Sequence, residues 1–267
     1  MDQCSNPATP VLEIACFNQE SAINAANGGA DRIELCRDYA SGGLTPAATT
    51  LRALKYLIDI PIYVMIRPHS KTFCYDKASF EIMKATVSTM RDLGADGFVF
   101  GILNPHYEDR SKGLSSWIDV ARNRELVKLA EGRPCTFHRA FDCVPESHWD
   151  TALNDLIRCG FASVLTSGGP SSDRAIDCVE KIANLAQQLD QLQGPSQLSC
   201  SPLRIIVGGG VRSSNIQSLL RTSHARAFHS SALLSSGGTV VMSEVERLRA
   251  TLRRSSLQRK LNPGNRE

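Results

Sequence analysis

Charged and imidazole side chains interrupt several short apolar stretches of this sequence. The segment CTFHRAFD carries His138, Arg139 and Asp142 among mostly apolar neighbours, and two earlier apolar stretches contain Glu13 and Glu34. Burying a charged group is costly unless the group is paired or used. Carboxylates and imidazoles can exchange protons, and guanidinium groups can hold an anion. The question is which elements would bring these side chains together.

Eight short apolar stretches alternate with longer amphipathic segments. The short stretches have the length and the β-branched or aromatic content of strands, and they cover residues 11–16, 32–36, 62–68, 97–102, 135–141, 163–168, 204–210 and 227–232. The intervening segments have apolar residues at helical spacing, and several end at glycine. This pattern predicts an α/β protein, a single-domain (β/α)8 TIM barrel. An open dinucleotide-binding sheet is disfavoured, because no G-x-G-x-x-G follows the first strand.

The barrel domain is predicted to span residues 11–256. Residues 1–10 are interpreted as an N-terminal extension and residues 257–267 as a basic C-terminal tail. The polar segment 187–202 is interpreted as an irregular insertion before the seventh strand.

Composition and charge exclude several classes of protein. The net charge is +3, and residues 247–267 hold seven Lys/Arg against one Glu, which is +6, so the rest carries −3 and offers no nucleic-acid surface. No apolar run approaches the roughly 20 residues that span a bilayer, and no secretory signal is visible. The nine cysteines form no C-x-x-C pair, which is unlike a disulfide framework. We therefore expect no nucleic-acid or membrane partner and a reducing location, the cytoplasm or the nucleus.

Side chains alternate in direction along a strand, which predicts what lies inside the barrel. The aliphatic residues of the first two strands must contact the helices, so the polar residues between them point inward. The residues placed inside in this way, as acid–base or anion-orienting groups of an enzyme, are Glu13, Glu34, Arg67 and His138. A satisfied ion-pair network in the barrel core is the alternative interpretation.

The last strands end in loops rich in glycine and serine. Barrel enzymes often bind phosphate at the loops after strands seven and eight, which here read GGGVRSSN and HSSA, while strand six ends TSGG. The predicted anion- or ligand-binding residues are Arg139, Asp142, Thr166, Ser167, Gly209, Gly210, His229 and Ser230. Arg139 and Asp142 are also expected to pair with each other at the end of strand five. For the glycine triplet, a tight turn is the alternative.

Cys16 and Cys36 lie at the ends of the first two predicted strands. Cys36 shares the inward direction of Glu34, whereas Cys16 is opposite to Glu13 unless the chain has already left the strand. Two thiolates at the barrel mouth would suit Cu(I). Burial as small apolar side chains is the alternative.

Several strings then point to a known family: GGADRIELC, GGLTP, VMIRP, FCY, GADGFVFG, TFHRAFD, VLTSG and FHSSA. From about Leu12 to Ala232 the chain resembles the CutC-type copper homeostasis proteins. The resemblance implies a (β/α)8 barrel, a cytoplasmic role in copper trafficking, Cu(I) binding by cysteines, and a homodimer or larger homo-oligomer. It places Cys36 at a copper-cysteine position. Cys16 is the nearest candidate for the second one, with Ala15 in the neighbouring register.

Two functional hypotheses result. The first is a cytosolic copper homeostasis protein that binds Cu(I) through Cys16 and Cys36. The alternative is a barrel enzyme that acts on a small anionic metabolite, such as a phosphorylated one, with its interior Glu, Arg and His residues.

Overall fold

The computed structural model describes residues 9–105, 116–170, 172–194, 202–234 and 238–261, with the backbone alone for residues 257–261. Eight parallel strands form a closed barrel in sequence order. They are β1 (Val11–Cys16), β2 (Arg32–Leu35), β3 (Ile62–Met65), β4 (Gly97–Phe100), β5 (Cys135–Phe137), β6 (Ser163–Thr166), β7 (Arg204–Val207) and β8 (Ala227–Ser230). The predicted (β/α)8 barrel is confirmed.

A helix follows each strand and covers the outside of the barrel. The helices are α1 (Gln19–Asn27), α2 (Ala48–Leu54), α3 (Lys77–Asp92), α4 (Val120–Leu129), α5 (Trp149–Cys159), α6 (Val179–Leu192), α7 (Ile216–Ser223) and α8 (Met242–Leu261). Asn18 and Asp76 cap the first turns of α1 and α3 by accepting backbone hydrogen bonds. None of the helices in the described part of the chain has the length and apolar character needed to cross a membrane.

Three segments differ from the sequence-based prediction. Residues 187–192 are the last turns of α6 instead of an irregular insertion, because Leu185 and Leu189 continue its buried face; residues 195–201 lie outside the described part. Helix α8 continues to Leu261, past the boundary predicted at 256; residues 1–8 and 262–267 are also outside the described part. Strand β5 ends at Phe137, and Arg139–Cys143 form a short 3₁₀ helix whose first turn is capped by the ring of His138.

Strand register explains which side chains enter the barrel. Glu13 lies beside Arg32 of β2 and His229 of β8, and Ala15 lies beside Glu34. Two small apolar clusters also lie inside: Cys36, Tyr63, Met65 and Val99 form one, and Leu165, Ile206 and Ala227 form the other. The large core lies between the strands and the helices. The polar groups of β1, β2 and β8 are thus held between two apolar clusters.

Gly168 fixes the exit of the chain from β6. Its φ of +77° is in the left-handed region, and an added Cβ would lie 2.5 Å from Cγ1 of Ile182. Gly132 has a similar φ of +80°, but an added Cβ there would meet no described heavy atom within 4 Å. Substitutions at these two glycines therefore distinguish the cost of backbone strain from the cost of steric overlap.

We expect Gly132→Ala to lower the free energy of unfolding by about 1 kcal/mol, through the backbone alone. Gly168→Ala should lower it by roughly 3 kcal/mol, since overpacking adds to that strain. Urea unfolding followed by circular dichroism measures both. If the free energy of unfolding decreases equally in the two variants, the overlap with Ile182 is relieved by small shifts and does not destabilise the protein.

Candidate functional site

A buried carboxylate, Glu13, organises the polar interior. Its side chain has no exposed surface; one oxygen accepts a 2.6 Å hydrogen bond from Nε of Arg32, and the other lies 2.7 Å from Nδ1 of His229. Burial alone would raise the pKa of this carboxyl, but the Arg32 charge and the His229 contact outweigh it and lower the pKa to about 2. Glu13 is therefore ionised at neutral pH and fully paired.

Glu34 is the second interior carboxyl, and its surroundings differ. One oxygen accepts a 3.1 Å hydrogen bond from the thiol of Cys36; the other, Oε2, has no hydrogen-bond partner among the described residues and lies 4.0 Å from Nδ1 of His229. Burial and the negative charge of Glu13 raise the pKa of Glu34 against the opposing effect of His229. The pKa of His229 is raised, because the two carboxylates outweigh the effect of burial. The two glutamates therefore have pKa values displaced in opposite directions.

Arg32 belongs to this group, although the sequence did not single it out. Its guanidinium pairs with Glu13 and lies 4.4 Å from the ring centroid of Tyr63, another interior side chain. Its interior position could have been predicted, because Arg32 and Glu34 are two residues apart in β2 and point in the same direction. Arg32, and not Arg67, is the cation that neutralises an interior carboxylate.

Arg67 makes different contacts from those predicted for a residue inside the barrel. It lies in the loop after β3, where Nη1 donates to the backbone carbonyls of Ser41, Gly42 and Gly43 at 3.2–3.3 Å. Its guanidinium also packs 4.8 Å from the ring centroid of Phe73. The residue follows the end of β3, so strand alternation does not govern its direction. Arg67 reaches the barrel mouth but pairs with neither Glu13 nor Glu34.

His138 is buried at the same mouth, next to Arg67. Its Nδ1 accepts a 3.2 Å hydrogen bond from the backbone N–H of Ala140, so the neutral ring carries its proton on Nε2. Burial and the Arg67 charge lower the pKa of His138 to about 3. Its Nε2 has no hydrogen-bond partner among the described residues. His138 thus presents a neutral N–H donor at physiological pH.

Arg139 and Asp142 form the predicted pair, with 2.7 Å between Nε and Oδ2. The buried Asp142 carboxylate also accepts hydrogen bonds from the hydroxyls of Thr166 and Ser167, and Nη2 of Arg139 donates to Ser167 at 2.8 Å. These four predicted residues therefore form one hydrogen-bonded group at the ends of β5 and β6. Asp142 is a structural anchor for Arg139, because its own oxygens are occupied.

A cavity of about 280 Å³ opens at the carboxyl ends of the strands. It brings together most of the predicted site residues, and its polar or glycine lining comprises Glu34, Gly42, Arg67, His138, Arg139, Gly209, Gly210, Arg212, His229, Ser230 and Ser231. Thr166, Ser167 and Asp142 support it from below, and Glu13 supports His229. Arg212, from the GGGVRSSN loop, also lines the cavity and was not predicted from the sequence. Its guanidinium donates to the carbonyl of Val211 and to the hydroxyls of Ser230 and Ser231.

The two candidate copper cysteines lie in different layers. Strand β1 continues to Cys16, so its side chain points outward into the large core, where Sγ contacts the carbonyl of Ile14 at 3.4 Å. Cys36 points inward and packs with Met65 and Tyr63. The inward position at the end of β1 is Ala15, which lines the cavity. Burial raises the pKa of both thiols well above the usual value.

A cluster of three side chains, Glu13, Glu34 and His229, offers possible ligands for a cation. One ligand atom from each lies within 4.8 Å of the others. However, both oxygens of Glu13 are engaged, by Arg32 and by His229, so an ion bound there would have to displace one of these contacts. The arrangement suits proton exchange at His229 better than cation binding.

The fold and the cavity define a (β/α)8-barrel protein with a polar site at the carboxyl ends of its strands. Residues 10–234 match the CutC family. The chain is 40% identical over 224 residues to a mouse copper homeostasis protein cutC homolog, which covers 83% of this chain and 73% of that protein. It is 39% identical to a family protein CutC from Proteus mirabilis, over 83% of this chain and 78% of that one. The crystal structure of CutC from Streptococcus agalactiae superposes with a TM-score of 0.72 at 26% identity, covering 83% of this chain and 98% of that one. The chain belongs to the CutC family.

The low pKa of Glu13 predicts how the free energy of unfolding decreases in acid. Its folded pKa of about 2 is below the ordinary 4.5, so its contribution is complete above about pH 4.5 and is lost as the pH falls towards 2. The displacement corresponds to roughly 3 kcal/mol. We expect Glu13→Gln to lower the free energy of unfolding by about that amount at pH 7 and to narrow its difference from wild type on acidification from pH 4.5 to 3. Urea unfolding at a series of pH values measures this.

Glu246→Gln, at an exposed position of α8, is the matched control and should change neither the stability at pH 7 nor its decrease in acid. A Glu13→Gln variant whose loss stays constant between pH 7 and pH 3 would contradict the low pKa of Glu13.

Proposed function

We propose that this chain serves in copper homeostasis and holds Cu(I) at the barrel mouth through the thiol of Cys36. The names of its relatives in mouse and human support the cellular role, at 40% and 38% identity. The observation that carries the site is the position of Cys36: of the cysteines in the described part of the chain, it is the one that packs in an interior apolar cluster. Copper would be cargo here, bound and passed on.

The second soft donor of this proposal is Met65. Cu(I) prefers thiolate and thioether ligands, and Met65 belongs to the same interior cluster as Cys36 and lines the cavity. Cys16 remains the donor that the family resemblance suggests. The Cys16 side chain packs in the large core, whereas Met65 shares the interior cluster with Cys36.

The resemblance also leads us to propose a cytoplasmic or nuclear location and a homodimer or larger homo-oligomer.

An anaerobic Cu(I) titration against a competing chelator tests the copper site. We expect Cys36→Ser to abolish competition and Met65→Leu to weaken binding by at least roughly 10–100-fold, because the loss of an outer-shell partner of a metal already costs that much. Cys16→Ser should stay near wild type. Cys159→Ser is the matched control, because this buried cysteine of α5 packs in the core between the strands and the helices.

If Cys16→Ser is as damaging as Cys36→Ser, the two-thiolate site is right and Met65 is not the ligand. If Cys36→Ser binds Cu(I) like wild type, the mouth is not the copper site. Circular dichroism of each variant establishes that it is folded.

A second candidate function is supported by a separate observation: His229 lines a cavity that three arginines also line, and its ring contacts the buried Glu13. Under this hypothesis the chain is an enzyme that adds a proton to, or removes a proton from, a small anionic molecule. Glu13 fixes His229 through Nδ1 and leaves Nε2 for the ligand. Glu34 offers an unpartnered oxygen, His138 offers an N–H, and the arginines attract the anion.

This acid–base reading requires His229 to titrate above its ordinary value. We expect NMR titration of its ring protons to show a raised pKa, and Glu34→Gln to lower that pKa, because the negative charge of Glu34 stabilises the imidazolium. His224 is the internal control, since it lies at the end of α7, outside the cavity. An unchanged pKa of His229 in Glu34→Gln would show that the two groups do not interact.

A further inference from the structure

Two of the three arginines that line the cavity have no carboxylate partner. Arg139 is neutralised by Asp142. Arg67 donates to backbone carbonyls, and Arg212 donates to one carbonyl and two hydroxyls; neither contacts a carboxylate among the described residues. The cavity therefore has two guanidinium charges that no described side chain balances.

These two charges lie on opposite sides of the barrel mouth. Arg67 follows β3, and Arg212 follows β7. In a closed barrel of eight strands in sequence order, β3 and β7 are four strands apart in either direction. Glu34 and His229, from β2 and β8, lie on one side of the line between them. A ligand spanning the two arginines would pass these groups.

Each end offers further donors for an anion. Near Arg212, the backbone N–H groups of Gly209 and Gly210 donate to no described acceptor, and both glycines line the cavity with positive φ angles of 99° and 74°. Near Arg67, the buried Nε of its own guanidinium and Nε2 of His138 have no partner among the described residues. The two buried donors on Arg67 and His138 are costly without an acceptor, and an anion would satisfy them.

We propose that the mouth binds a small organic molecule with two separated anionic groups, one at Arg212 and the glycine amides and the other at Arg67 and His138. This inference rests on the second candidate function and specifies its substrate class. A phosphate at one end and a carboxylate or second phosphate at the other is the chemistry that fits. The carbon skeleton between them then lies beside Glu34 and His229, where a proton can be exchanged.

Isothermal titration calorimetry with four probes tests the two-ended site. 3-Phosphoglycerate carries a phosphate and a carboxylate at opposite ends, glycerol 3-phosphate lacks the carboxylate, pyrophosphate has similar charge in one place, and inorganic phosphate is the minimal anion. We expect 3-phosphoglycerate to bind at least about tenfold more tightly than each of the others, the effect of one added charge-assisted contact.

Variants assign the two ends. Arg212→Gln should weaken all four probes, whereas Arg67→Lys, which keeps the charge, should retain the preference and Arg67→Gln should remove it. Arg52→Gln, on the exposed surface of α2, is the control and should bind like wild type. Thermal melting shows which variants are folded. If Arg67→Gln does not fold, the affinities of the four probes for wild type and for Arg212→Gln still test the two-ended site.

Equal affinity for 3-phosphoglycerate, glycerol 3-phosphate and pyrophosphate would overturn the two-ended ligand while leaving an anion site at the mouth. Binding of none of the four would overturn both this inference and the anionic substrate of the second candidate. The Cu(I) titration is independent of either outcome.

Discussion

The interior of this barrel depends on the charge of Glu13. A carboxylate without exposed surface is stable only when its partners replace water, and Arg32 and His229 do so from the two strands that flank β1. The same contacts close the barrel between its first and last strands with polar groups. Because Glu13 holds Nδ1 of His229, it also determines which ring nitrogen remains for a ligand. One ion pair thus connects the closure of the fold with the geometry of the mouth.

The two interior apolar clusters lie on opposite sides of the barrel. Cys36 and Met65 lie on the side of β2 to β4, together with Tyr63. Leu165 and Ile206 fill the opposite side, below the loops that carry Arg139 and Arg212. Glu34 lies between the sides, since one oxygen contacts the Cys36 thiol and the other faces His229. The proposed copper donors therefore lie near the Arg67 end of the proposed anion site and away from its Arg212 end.

The succession of short apolar stretches and helical segments predicted the fold. Strand alternation predicted the inward direction of Glu13 and Glu34, because direction within a strand is a property of sequence spacing. It also indicated that Cys16 points outward, and β1 does continue through that residue. The same rule placed Arg67 inside the barrel, but Arg67 follows β3 and is held by carbonyls of the 41–43 loop, which no periodicity encodes. Arg212 was missed for the same reason. The interior position of Arg32 could have been predicted from its direction in β2, but a charged residue at the start of a strand is expected to be exposed until its partner is known.

Copper and the anion do not compete for the same electrostatic balance. The thiol of Cys36 is protonated in the absence of metal, because burial raises its pKa. One Cu(I) that replaces this proton exchanges one positive charge for another, so the formal charge of the mouth stays the same. The excess charge of Arg67 and Arg212 therefore exists with or without copper, and bound metal would neither supply nor remove the counter-charge they need. A role in copper homeostasis alone leaves the charges of these two arginines unbalanced, and the proposed anionic ligand would balance them.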